Sequence, residues 1–253
     1  MLSLLQKVVR AIPTYFTITL TNLPLEAGIQ IASVKTEEPV GSITKVIIKR
    51  RLSGVGSYLP IGEQTITTAD DFTFTVKDFN VKSRYTYDYM LMPAAGETEG
   101  VGVTATKKCE FDGFYIGDTV SRYVCNLNPK VEFQPNGETG INTSLGSQYP
   151  FVIENSIADY YSGKASGLFL PTPTGSYNQA EAQTATALDY KIAVITFLKT
   201  KTNKLLKTFD GHAWYVRVKG RPAEVPSEYD GASEISFEWV EVAVLPTTGV
   251  VAV

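Results

Sequence analysis

The chain has 253 residues and a formal net charge of −3, from 23 Lys and Arg set against 26 Asp and Glu. Apolar residues make up 43 % of it, with 14 Tyr and 12 Phe, enough to bury a core and to exclude a disordered chain. Its basic residues are interspersed, so no surface would draw in a phosphate backbone by counterion release, and no acidic block mimics one.

At the start, Lys7 and Arg10 interrupt the apolar run from Met1 to Ile12, and no basic stretch precedes it, unlike a secretory leader. Leu4, Leu5, Val8, Val9 and Ile12 fall at helical spacing, so residues 1–14 are expected to be a short amphipathic docking arm that orders on a neighbouring subunit. No apolar run approaches about 18 residues, so no membrane insertion is expected.

Residues 15–106 read as an Ig/fibronectin-like β-sandwich. Tyr15–Leu20, Ile29–Val34, Lys45–Lys49, Gln64–Thr67, Phe72–Val76 and Tyr85–Leu91 each alternate or are β-branched, with turn residues between them. Short strands without intervening helices favour a sandwich over a parallel sheet. Phe79-x-Val-x-Ser-x-Tyr85, followed by Tyr87 and Tyr89, resembles the strand that carries the tyrosine corner of fibronectin type III domains. The small, polar run from Pro93 to Gly102 is either the last hairpin of the sandwich or a linker, and the boundary is placed near Thr106.

Residues 107–243 read as a second β-rich domain with one amphipathic helix at about 180–200. Cys109–Cys125 is expected to be a hairpin pairing Phe111–Ile116 with Thr119–Val124. Such a register sets the two thiols opposite each other and makes a disulfide geometrically possible, although a cytoplasmic product favours half-buried free thiols. Val131–Phe133 suits an edge strand, and Ala185, Leu188, Ile192, Ile195 and Phe197/Leu198 trace one helical stripe. Asp210-Gly211 predicts a type I′ hairpin, and Ile235–Val242 a closing strand with Ile235, Phe237, Trp239 and Glu241 on one face. Residues 244–253 are apolar and expected to be a second arm ordering on a neighbour.

His212 is the only histidine, which leaves no His-rich zinc site and no signature of a nucleophilic triad. Asp70/Asp71, Glu110/Asp112, Asp210 and Glu238/Glu241 are the carboxylates that could work in pairs on a sugar polymer, but carboxylates in such places far more commonly lie on solvated faces. No glycine-rich stretch carries the Lys and Ser/Thr of a phosphate loop. Catalytic, metal and cofactor-binding residues are therefore expected to be absent. Tyr58, Tyr149, Tyr160, Tyr161, Tyr177 and Tyr229 fall in loops or at strand ends, where tyrosine serves sugar stacking and protein contacts alike.

Phe111–Asp118, Tyr149–Ser156, Tyr160–Phe169 and Leu205–Trp214, closed by Ser236–Glu241, are similar to segments of bacteriophage tail and baseplate proteins, with distal tail proteins the nearest group. The likeness covers roughly half the chain. That family usually places its ring-forming β-domain first, whereas here the sandwich precedes it. The resemblance implies a virion structural protein without enzymatic activity, assembled in the host cytoplasm. Its partners would be copies of itself in a ring, of which a hexamer is one form, and other tail proteins, with exposed strand edges as meeting surfaces. The alternative is a carbohydrate-binding module or adhesin that reads the host surface through the tyrosines.

Overall fold

The computed structural model describes residues 15–36, 43–125, 127–136, 139–142, 151–154, 159–171, 185–226, 233–245 and 250–252. Its first part holds β1 (Phe16–Leu23), β2 (Gly28–Lys35), β3 (Lys45–Leu52), β4 (Val55–Thr65), β5 (Phe74–Asp78), β6 (Thr86–Ala95), β7 (Thr98–Glu99) and β8 (Val103–Lys108). Then come β9 (Phe114–Gly117), β10 (Arg122–Cys125), β11 (Leu127–Asn136), β12 (Thr139–Asn142), β13 (Phe151–Glu154) and β14 (Tyr160–Leu168). The helix α1 (Ala185–Lys199) is followed by β15 (Lys204–Thr208), β16 (Ala213–Pro226), β17 (Ser233–Ala243) and β18 (Val250–Ala252). The protein is thus mainly β, and α1 is the single α-helix among the described residues.

Alternation builds the sandwich. Ile29 and Ile31 on β2, Val46 and Ile48 on β3, and Tyr87, Tyr89 and Leu91 on β6 all turn inward and are buried. One sheet runs β1-β2-β5-β18, and the other runs β4-β3-β6 with β8 on the far side of β6. The Pro93–Gly102 run is the hairpin that joins β6 to β8, not a linker. Between the sheets lies a buried polar tie, in which the Asp78 carboxylate accepts from Arg50, from the Tyr89 hydroxyl at 2.8 Å and from the Asn80 N–H at 2.9 Å. The tyrosine corner is present, and Tyr87 makes it: its hydroxyl accepts the backbone N–H of Lys82 at 2.9 Å.

The second part is a seven-stranded antiparallel sheet in the order β10-β9-β15-β16-β17-β14-β11. Ile235, Phe237 and Trp239 of β17 face Val194, Phe197 and Leu198 of α1, with Phe114, Ile116 and Leu206 in the same core. Glu241 continues that face at its half-buried end, where the alternation placed it. The helix stripe differs from the expected one. Leu188 and Ile192 are about half exposed, at 50 % and 52 %, while Ala187 is buried. Apolar residues occupy both sides of this helix, so their period alone could not select the side that packs.

Two hairpins also differ from expectation. The Asp118 side chain accepts the N–H groups of Val120 and Ser121, and this turn sets Cys125 opposite Phe114. Cys109 and Cys125 consequently belong to different cores and are free and buried, which removes the cross-strand disulfide. At Asp210-Gly211 only Gly211 has a positive φ, whereas a type I′ turn needs it at both central residues. The Gly211 N–H instead bonds to the Thr208 carbonyl, and the Thr208 N–H to that of His212, closing a three-residue loop. The C-terminal arm also finds a partner within the chain: β18 pairs antiparallel with the chain's own β5, Val250 opposite Asp78. The N-terminal arm, residues 1–14, lies outside the described residues.

Replacing Tyr87 with Phe leaves the Lys82 N–H without its acceptor. Urea denaturation should show a loss of about 1–3 kcal/mol, whereas Tyr85→Phe at an exposed ring should stay within about 0.5 kcal/mol.

Candidate functional site

Strand β15, Lys-Leu-Leu-Lys-Thr, is buried along its whole length despite two lysines. Alternation sends Lys204 and Leu206 toward α1, and Leu205 and Lys207 toward the sandwich. The Lys204 ammonium donates to the carbonyls of Thr200 and Thr202, each at 3.0 Å, and so caps the C-terminal end of α1.

Lys207 sits where the two parts meet. It is fully buried, and its ammonium donates to the carbonyl oxygens of Ala27 and of Phe79, the latter at 2.7 Å. Ala27 has a φ of +54°, an uncommon conformation for a residue with a Cβ. The rings of Tyr115 and Phe111 flank the ammonium at 4.7 and 5.3 Å. Around this clamp Cys109, Phe111, Tyr115, Val124 and Leu205 from the second part join the sandwich core, and Phe79 stacks on Tyr115.

A cleft of about 430 Å³ opens beside the clamp, lined by residues of both parts. Here Asn22 bonds twice to the backbone of Glu110, and the guanidinium of Arg84 lies over the Phe209 ring at 5.5 Å. Arg84 has a φ of +66°, in the turn ahead of the tyrosine corner. Glu110 and Asp112 both line this cleft, but the Glu110 carboxylate is paired with Lys108 at 2.5 Å.

The other carboxylates do not come together. Asp70 pairs with Lys35 at 3.0 Å. Asp71 accepts from the Thr67 hydroxyl and from the Thr67 and Thr68 N–H groups, bonds that hold its pKa down at about 2. Glu241 accepts the Tyr161 N–H at 3.0 Å, while Glu238 points to solvent. His212 is bound to Asp210 at 3.1 Å and stacks on Trp214, with Phe133 at 4.8 Å and Tyr161 beyond. Among the described residues no nucleophile is hydrogen-bonded to this imidazole, and no cluster of His, Cys, Asp and Glu is set to hold a metal. Tyr58 lies under the guanidinium of Arg51 at 4.5 Å. Tyr149, Tyr177 and Tyr229 lie outside the described residues.

Sequence reasoning missed Lys207 and Arg84. Lys207 was detectable in principle, because it shares the face of Leu205 in a strand whose centre is apolar on both faces. No family model matches the chain, and no curated protein matches it.

Burial pushes the Lys207 ammonium down from its ordinary 10.5 to about 8. Between those values the unfolded chain holds a proton that the folded chain has released, so this site adds stability as pH rises. The Cys109 thiol, pushed up to about 11 by burial, acts in the opposite sense once the unfolded thiol ionises near pH 9. The wild type should therefore gain stability relative to Lys207→Met between pH 8 and 10.5, read by urea denaturation of both proteins across that range. Neither thiol should react with a thiol-specific dye in the folded chain, and both should react after unfolding without a reductant, since burial raises both pKa values.

Proposed function

We propose that the chain is a structural component of a phage tail or baseplate, of the distal-tail or adaptor kind, which assembles as a ring or on a ring through protein contacts. The observation that carries this reading is the β3–β4 hairpin. Its tip holds Leu52, Val55 and Leu59 in solvent at 37 %, 59 % and 52 % exposure. Asp88 of β6 anchors the turn, accepting from Arg51 at 3.0 Å, the Ser53 hydroxyl at 2.9 Å and the Gly54 N–H at 3.3 Å. An apolar tip on a fixed arm is arranged for a protein partner, because little ordering remains to be done on binding. The clamp at Lys207 serves the same end by making one rigid body of two β-units. Addition of a strand at β11 is less favoured, since Pro129 and Pro135 lack the N–H groups that an incoming strand would use.

One observation favours host-surface recognition as a second reading. Phe133, 37 % exposed, lies with Tyr161 and His212 at one end of the sheet, the kind of aromatic patch on which sugar rings stack.

Val55→Asp with Leu59→Asp should leave folding stability within about 0.5 kcal/mol of wild type. The same variant should fail to form rings in electron micrographs or to enter particles. Unimpaired assembly by this variant would sink the hairpin as the contact. A glycan array bound by wild type and lost in Phe133→Ala would favour the second reading.

A further inference from the structure

The seven-stranded sheet packs one face on α1, and alternate residues of β11, β14, β17 and β16 point the other way. On that outer face register sets Glu132 opposite Lys164, Lys164 opposite Glu238, and Glu238 opposite Lys219. All four side chains are exposed. They form a row that alternates acidic, basic, acidic, basic across neighbouring strands about 4.8 Å apart. Cross-strand alternation keeps such a row from repelling itself. Yet none of the four makes an ion pair or a hydrogen bond with the described residues. Among the described residues their charges are unmatched.

The order of the row decides what fits. A second copy laid face to face, turned about a twofold axis along the strands, presents the row in reverse. Glu132 then meets Lys219, Lys164 meets Glu238, and the remaining contacts follow by symmetry. An axis along the row itself would set acid on acid and base on base. Ser162 and Ser236, on the flanking rows of the same face, are small enough to let the sheets approach. We propose that this row is a self-complementary contact with a second copy of the chain, sheet face on sheet face, about a twofold axis parallel to the strands. It goes beyond the ring reading, because neighbours around a ring meet through unlike surfaces, and its failure would leave that reading standing.

The test is charge reversal in the full chain, followed by sedimentation velocity at low salt. Wild type should self-associate, and the association should weaken as salt screens the row. Glu238→Lys turns two of the four opposed contacts into like pairs and should weaken association by about a hundredfold or more, as should Lys164→Glu. Mixing the two single variants makes every opposed pair unlike again, so the mixture should associate where each alone does not. One chain carrying both substitutions should also recover. The exposed positions keep folding intact, which circular dichroism checks. A monomeric wild type, undiminished association in both single variants, or a mixture that stays apart would each overturn the proposal.

Discussion

The arrangement of the whole chain depends on one ammonium group. Lys207 is carried on a strand of the second part, yet the carbonyls that receive it belong to the first. Burying a cation without partners would cost several kcal/mol, so the group can go inside only when Ala27 and Phe79 are already in place. That requirement makes the clamp selective as well as adhesive. A shifted docking of the two parts would strand the charge, whereas a wholly apolar junction would tolerate sliding. The left-handed backbone of Ala27 belongs to the same arrangement, since its carbonyl is one of the two that hold the ammonium.

The rings around the clamp extend the constraint outward. Phe79 carries the guanidinium of Arg122 over its ring, 4.1 Å from its centroid, and stacks with the ring of Tyr115. Its carbonyl meanwhile accepts from Lys207, so one residue joins backbone, aromatic and cationic contacts. Asp78, the residue before it, ties both sheets of the sandwich through Arg50 and Tyr89. Adjacent positions on one strand end thus couple the interior of the first part to its seam with the second. Disturbance at either should be felt at the other, since neighbouring polar networks of this kind do not behave additively.

The strands were legible in the sequence because period-two alternation survives wherever one face is buried, as in β2, β6 and β17. Even the edge position of β11 could be read, from its prolines and weak alternation. Register was not legible. The Cys109–Cys125 hairpin is set by an aspartate side chain folding back on its own turn, and that shifts the pairing enough to part the two cysteines. The Asp-Gly hairpin was misread for a related reason, as Asp210 turns with ordinary φ and leaves the positive one to Gly211 alone. The junction cleft was invisible because Asn22, Arg84 and Phe209 are far apart in sequence and meet only when the two parts dock. Lys207 was hidden by habit, since a lysine in a strand is normally read as a solvated face.

Strand β18 has a consequence for how the molecule is made. It caps β5, yet the whole seven-stranded sheet is encoded between the two. A chain emerging from the ribosome therefore carries its sandwich with one sheet border open until the second part has been synthesised. Open borders are where nascent β-proteins join the wrong partner. The short length of β5 and the acid–amide–base character around Asp78, Asn80 and Lys77 limit that hazard during the interval. Synthesis order, and not only the final contacts, thus becomes part of what this sequence must encode.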